Sequence, residues 1–184
     1  MSERRRICLV GVRGVGKSTL VRSLVESMHD VDYVVGSAVL RELAGPEFAR
    51  FDHLTPARKQ RYREDAIRWM EDRQRATQMH ILCDGHTALL DESTGRVTPV
   101  FTDLDCRFFR ELILLEAPVE LVLSRRASDP RKRRNLDPHV IASELQGERE
   151  TCARLAREWK MTLHRLPPAD DPEVAQRLLE LLAP

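Results

Sequence analysis

A short segment near the amino terminus has the residue types and the spacing of a phosphate-binding loop. Residues 11–18 read Gly-Val-Arg-Gly-Val-Gly-Lys-Ser and directly follow the apolar run of residues 7–10. The segment matches the pattern G-x-x-x-x-G-K-[ST] at every fixed position. In such a loop the backbone N–H groups surround a β-phosphate, Lys17 reaches the β and γ oxygens, and the Ser18 hydroxyl binds Mg²⁺. The chain is therefore expected to bind ATP together with Mg²⁺.

The flanks of this loop support the same expectation. A helix that begins near Lys17 would direct the positive end of its dipole at the bound phosphate. A glycine-rich turn without function is the alternative, and the apolar run before the loop and the helix after it argue against that alternative. The residues assigned to the nucleotide are Gly11, Arg13, Gly14, Val15, Gly16, Lys17, Ser18 and Thr19.

An aspartate and a histidine follow another apolar run, where a later strand is predicted to end. Residues 80–86 read His-Ile-Leu-Cys-Asp-Gly-His. The carboxyl ends of parallel strands meet at one edge of a sheet, so Asp84 is expected to face the loop and to support Mg²⁺ together with Ser18. A turn or N-cap aspartate is the alternative. His86 is assigned to the substrate, with a solvated loop histidine as the alternative.

Two further segments are rich in arginine. Residues 125–134 contain six cations in ten positions, and such crowding is unfavourable unless an anion binds. We expect a mobile lid that closes over the nucleotide, and the alternative is a basic segment that contacts RNA or resembles a nuclear-localisation signal. Residues 36–41 and 52–55 could form an acceptor pocket with Arg41 on the acceptor's phosphate, although an exposed helix arginine is equally compatible with the sequence.

The elements that position these residues follow from alternating patterns. Strand-like apolar runs separated by helical patterns predict a parallel sheet covered by helices on both faces; the runs are residues 7–10, 33–35, 81–83, 112–116 and 161–166. Helix starts are predicted where a capping residue precedes a proline; the pairs are Thr55-Pro56, Asp137-Pro138 and Asp171-Pro172. Pro118 is expected to open another helix.

Composition limits the protein class. The chain has 184 residues, a formal net charge of +1, 42% hydrophobic and 32% charged residues, which predict one globular domain without bulk attraction to nucleic acid or membranes. The cysteines form no C-x-x-C pair and are expected to be reduced core residues; they are Cys8, Cys83, Cys106 and Cys152. A leader pattern and a run of about 18 apolar residues are both missing, so a cytoplasmic location is expected.

In this order, the motifs resemble those of P-loop nucleoside monophosphate kinases, in particular the short archaeal-type adenylate kinases. The resemblance rests on residues 11–19, 36–41 and 54–56, on Asp84-Gly85-His86, and on the basic run from Arg125. It implies a three-layer α/β P-loop fold with a five-stranded parallel sheet of order 2-3-1-4-5. It also implies one kinase domain over residues 1–184, with a helical monophosphate-binding insertion at 36–78 and a short arginine-rich lid at 126–137.

The same resemblance implies roles for individual residues. Lys17 and Ser18 would handle ATP and Mg²⁺, Asp84 would support the metal, and Ser37, Arg41 and His86 would bind the acceptor. Arg125 would contact the nucleotide at the base of the lid. The transferred group would be met by Arg126 and by lid arginines among Arg131, Arg133 and Arg134, while Lys132 occupies a position where the family pattern expects arginine.

The leading interpretation is transfer of the γ-phosphoryl group of ATP to a nucleoside monophosphate, a reaction that needs alignment and charge but no strong base. A small-molecule alcohol is the first alternative acceptor; it would need a base, for which Asp84 or His86 is the candidate. A slow ATPase acting as an assembly or switch factor, with RNA or protein as partner, is the second alternative. The motif [NT]-K-x-D is missing from the sequence, which argues against a guanine-specific switch.

Overall fold

Strands and helices alternate along the chain in this computed structural model, which describes residues 4–91, 94–129 and 134–183. The strands are β1 (Arg6–Val10), β2 (Val31–Val35), β3 (His80–Asp84), β4 (Ala88–Asp91), β5 (Arg96–Pro99), β6 (Glu111–Leu115) and β7 (Thr162–Leu166). The α-helices are α1 (Lys17–Leu24), α2 (Gly36–Ala44), α3 (Pro56–Thr77), α4 (Asp103–Phe108), α5 (Val119–Ala127), α6 (Pro138–Trp159) and α7 (Val174–Leu182). A 3₁₀ segment at Gly45–His53 joins α2 to α3.

Five strands form one parallel sheet in the order β2-β3-β1-β6-β7. The predicted five-stranded parallel sheet is confirmed, and the predicted order 2-3-1-4-5 differs from the order observed. The difference arises because the sequence analysis missed the antiparallel hairpin β4–β5, which takes the numbers 4 and 5 along the chain. Most residues of these two short strands are partly or fully exposed, so the strands lack the continuous apolar runs that revealed the central strands.

Two hydrophobic layers cover the sheet. Alternate residues of one strand point to opposite faces, so Ile7 and Leu9 of β1 pack in one layer with α1, α5 and α7. Cys8 and Val10 pack in the other layer with α2, α3, α4 and part of α6. All four cysteines are free and buried, as expected. This three-layer packing makes the carboxyl edge of the sheet a rigid platform.

The predicted helix starts can be checked against the observed caps. The Thr55 hydroxyl accepts from the N–H of Arg58 and the Asp137 carboxylate from that of His139, so α3 and α6 begin as predicted. The prediction for Asp171 is wrong by two residues, because its carboxylate closes a turn onto the N–H of Glu173 and α7 begins only at Val174. None of the described helices combines the length and apolar character needed to cross a membrane.

Candidate functional site

The loop between β1 and α1 has the backbone of an anion cradle. Gly14 and Gly16 have φ angles of +90° and +109°, a region that L side chains rarely adopt. A Cβ at Gly16 would lie 2.7 Å from the Cβ of Ala169, so a side chain there would also clash. Gly16 caps α1, and α1 begins at Lys17. The loop therefore directs backbone N–H groups and a helix N-terminus toward one point, an arrangement that fits phosphate.

Lys17, Ser18 and Asp84 lie together at this point, as the sequence predicts. The Lys17 ammonium donates to the backbone oxygen of Gly11 at 2.5 Å and lies 3.7 Å from Asp84 Oδ1. The Ser18 hydroxyl donates to Asp84 Oδ2 at 2.8 Å. Burial lowers the pKa of Lys17, while the charges of Asp84 and Glu148 oppose that shift. The Tyr33 hydroxyl, which the sequence analysis missed, also donates to Asp84 Oδ2 at 3.0 Å.

The donor set fits Mg²⁺ only together with a nucleotide. Among the described residues, no group of three His, Cys, Asp or Glu side chains could hold a metal ion. Ser18 and Asp84 supply a hydroxyl and a carboxylate in hydrogen-bond contact. Mg²⁺ prefers oxygen ligands, and in kinases it takes most of them from phosphate and water.

His86 lies beside the phosphate loop, where protonation of its imidazole is disfavoured. Burial lowers its pKa well below the usual value of 6.5, and the charges of Lys17 and Arg13 lower it further, while a hydrogen bond with the backbone of Gly11 opposes the shift. Within the described part of the chain, its buried Nδ1 has no hydrogen-bond partner. An imidazole nitrogen without a partner can accept a hydrogen bond from a bound ligand.

Two arginines of α5 hold the phosphate loop from outside. Arg126 is 4% exposed and donates to the backbone oxygen of Arg13 at 2.9 Å, while its Nη1 contacts Glu144 at 2.7 Å. Arg125 donates to the backbone oxygen of Val15 and lies 3.3 Å from Asp170. Arg126 Nη2 is buried without a partner among the described residues, which is the orphaned donor expected of an anion site.

The predicted lid is only partly described. Arg125 and Arg126 belong to α5, and therefore the start of the expected lid at residue 126 is helical. Arg134 lies close to the phosphate loop, with its Nη1 3.2 Å from the position a Cβ would take at Gly14. Arg131, Lys132 and Arg133 lie outside the described residues.

Among the described residues, the two residues of α2 that were expected to bind the acceptor form no hydrogen bond with Lys17, Ser18 or Asp84. Ser37 and Arg41 are exposed, and the Arg41 guanidinium lies over the Phe48 ring at 5.1 Å. Arg63, which the sequence analysis missed, is part-buried on the same face of α3 as Ile67 and Met70. Burial lowers its pKa and the charges of Asp105 and Asp52 oppose the shift, but among the described residues Arg63 has no hydrogen bond and no ion pair within 4 Å. Its place in the apolar stripe of α3 was the available signal.

Glu148 is another residue that the sequence analysis missed. Its side chain is 1% exposed and accepts the backbone N–H groups of Gly11, Thr87 and Ala88. The next two residues, Arg149 and Glu150, are charged, as on a solvated helix face. Glu148 nevertheless lies at helical spacing between Ile141 and Cys152, which are buried, and this place in the stripe of α6 was the available signal.

Together the parallel sheet, the phosphate loop after its first strand and the acidic residue at the end of β3 define a P-loop kinase, a phosphotransferase enzyme. The family described as "AAA domain" matches residues 10–142, and the chain belongs to that family.

The individual relatives are named shikimate kinases, and shikimate is a small molecule. A shikimate kinase of Vibrio campbellii is 28% identical over 153 residues, which cover 81% of each chain. The crystal structure of shikimate kinase from Bacteroides thetaiotaomicron aligns with a TM-score of 0.59 at 15% identity, covering 97% of this chain and 98% of that one. Shikimate kinase from Acinetobacter baumannii in complex with shikimate aligns with a TM-score of 0.58 at 19% identity, covering 97% and 93%. These comparisons support the P-loop kinase class and do not support the specific resemblance to adenylate kinases.

Proposed function

We propose that this protein transfers the γ-phosphoryl group of ATP to a hydroxyl group of a small molecule, with Mg²⁺ as the metal ion. The observation that carries the proposal is the buried, unpaired Nδ1 of His86 beside the phosphate loop, two residues after Asp84. A hydroxyl acceptor must lose a proton during transfer, whereas a phosphate acceptor is already ionised. An unpaired imidazole nitrogen that can accept a hydrogen bond from a hydroxyl group, two residues after the candidate base Asp84, therefore favours the alcohol over the nucleoside monophosphate.

In this proposal the nucleotide lies on residues 11–19. Lys17 and the loop N–H groups would bind the phosphates, and Ser18 and Asp84 would hold Mg²⁺, which when bound would supply positive charge beside the phosphates. Arg125 contacts the nucleotide, because it is fixed beside the loop by Val15 and Asp170. Arg126 and Arg134 supply positive charge beside Gly14, and the charge of Arg13 acts on Arg134 and His86. Residues 126–137, including Arg131, are proposed as the lid.

The acceptor side is formed by the end of β3 and the insertion at residues 36–78. Arg63 of this insertion is proposed to contribute a part-buried guanidinium to the acceptor side. The charges of Asp105 and Asp52 act on it without forming an ion pair, so it can still bind an acceptor with a negative charge. Asp84 is proposed as the proton acceptor, His86 as a hydrogen-bond partner of the acceptor's hydroxyl group, and Ser37 as a peripheral contact. The names of the relatives, which are shikimate kinases, support a small-molecule acceptor.

A nucleoside monophosphate remains the second candidate acceptor. It is favoured by the two helices inserted after β2 and by the exposed Arg41, whose contact with Phe48 presents a cation and a ring on one surface. Such a surface suits a phosphate joined to a base.

One experiment separates the two acceptors. The protein is incubated with ATP, Mg²⁺ and a panel of hydroxylated carboxylates, sugars and nucleoside monophosphates, and ADP formation is measured. The product of the best acceptor is then identified by ³¹P NMR. We expect a phosphate monoester, formed from a negatively charged alcohol. A phosphoanhydride from a nucleoside monophosphate as the best acceptor would contradict the proposal.

A further inference from the structure

We infer that Glu148 is a positioning residue that joins the phosphate loop to the segment after His86, so that nucleotide binding also orders the acceptor side. The inference rests on the proposed function, because that function assigns the two segments to the two substrates. Glu148 itself touches neither substrate in the proposed arrangement.

The contacts of Glu148 come from two segments far apart in the sequence. Its Oε1 accepts the N–H of Gly11 at 3.2 Å and the N–H of Thr87 at 2.9 Å. Its Oε2 accepts the N–H of Ala88 at 2.6 Å. Gly11 is the first residue of the phosphate loop, and Thr87 directly follows His86. One carboxylate therefore connects both substrate segments through main-chain atoms.

These hydrogen bonds are what keeps the buried carboxylate in place. Across the described residues, Glu148 forms no ion pair with a Lys, Arg or His side chain, although the charge of Lys17 acts on it. Burial raises the pKa of Glu148, while the bonds from Thr87 and Ala88 oppose the shift. A buried carboxylate without a cation needs several donors, and each of the three amides would be left unsatisfied without it.

The surrounding packing makes this connection stiff. A Cβ at Gly147 would lie 2.5 Å from Val97 Cγ1, so α6 and strand β5 are in direct contact. Cys152, one turn after Glu148, contacts the Thr87 hydroxyl at 3.3 Å. A shift of the segment at residues 87–88 relative to α6 would break these contacts together. Glu148 can therefore transmit order from the phosphate loop to the neighbourhood of His86.

The test uses hydrogen exchange of the full chain with and without a non-hydrolysable ATP analogue and Mg²⁺. In the unaltered protein, the analogue is expected to slow exchange of the amides of Thr87 and Ala88 by about tenfold, because ordering the loop strengthens their bonds to Glu148. In the Glu148→Gln variant, an NH₂ group replaces one acceptor oxygen and cannot accept all three N–H groups. We expect this variant to bind the analogue without that slowing.

The matched control is Glu150→Gln, an exposed carboxylate on the same helix that contacts Gln146. It should behave like the unaltered protein. If the Glu148→Gln variant shows the full slowing, or if the unaltered protein binds the analogue without slowing at residues 87–88, the inference is overturned. The second of these outcomes is measured on the unaltered protein alone, so the inference stays testable even if the Glu148→Gln variant does not fold. Failure of the analogue to bind the unaltered protein would instead overturn the proposed function, and this inference with it.

Discussion

Replacing Glu144 with glutamine tests whether the buried Arg126 beside the phosphate loop depends on the negative charge of Glu144. The two side chains form a buried pair at 2.7 Å, with side-chain exposures of 2% for Arg126 and 10% for Glu144. Glutamine keeps the size of Glu144 but removes its charge, so the guanidinium stays buried without a counter-charge. Breaking a buried pair in this way costs about 3–5 kcal/mol of unfolding free energy. Since each kcal/mol lowers Tm by about 2–4 °C in a chain of this size, the expected decrease is about 6–20 °C.

The assay is thermal and urea unfolding followed by circular dichroism. The control is Glu158→Gln, which removes the same charge from an exposed pair on the same helix, where Arg154 and Glu158 have side-chain exposures of 41% and 47%. Such a pair is worth about 0.3–0.5 kcal/mol, so the control should unfold close to the unaltered protein. Equal effects of the two substitutions would refute the reasoning that Arg126 depends on Glu144.

A double variant separates the stability of this pair from its proposed function. Replacing both partners with apolar residues, as in Arg126→Met with Glu144→Leu, removes the unpaired charge, so most of the lost stability should return. Phosphoryl transfer should nevertheless fall by about 10³-fold or more, because the proposed arginine is gone. A double variant that is stable and retains normal transfer would show that Arg126 does not contact the transferred group.

Three further predictions follow from the same site. Asp84→Asn should weaken the apparent Mg²⁺ affinity in the kinase assay by about 10–100-fold, and unchanged Mg²⁺ dependence would contradict its metal role. Gly16→Ala should weaken nucleotide binding in calorimetry, because its Cβ would meet Ala169 at 2.7 Å, whereas Gly95→Ala, with nothing within 4 Å, should not. Burial lowers the pKa of His86 below its unfolded value of 6.5. Below that value the unfolded chain binds a proton that the folded chain does not, so the free energy of unfolding is highest above pH 6.5 and decreases as the pH falls from about 7 to about 5. The urea midpoint of His86→Gln should therefore decrease less over this range than that of the unaltered protein.

The sequence predicted the parts of the site that depend on local patterns. The phosphate loop is a continuous motif, and Asp84 directly ends a buried apolar strand. The rule that parallel strands end at one edge of the sheet therefore predicted that Asp84 lies near Lys17 and Ser18, as observed. The starts of α3 and α6 were visible for the same reason, because cap and first turn are neighbours in sequence.

The remaining residues depend on tertiary contacts that no local pattern records. Tyr33 lies 51 residues from Asp84, and Glu148 lies 137 residues from Gly11, yet each pair shares a hydrogen bond. Glu148 lies where α6 packs against the hairpin β4–β5, which was itself missed. Acceptor preference was assigned by resemblance, and the relatives favour a small molecule instead.

The most direct test of the central claim is calorimetric titration of the purified protein with a non-hydrolysable ATP analogue, with and without Mg²⁺, alongside the Lys17→Met variant. The account predicts binding that is strengthened by Mg²⁺ and weakened by about tenfold or more in the variant, which lacks the ammonium that meets the β and γ phosphates. Absence of Mg²⁺-assisted binding by the unaltered protein, or equal binding by the variant, would contradict it.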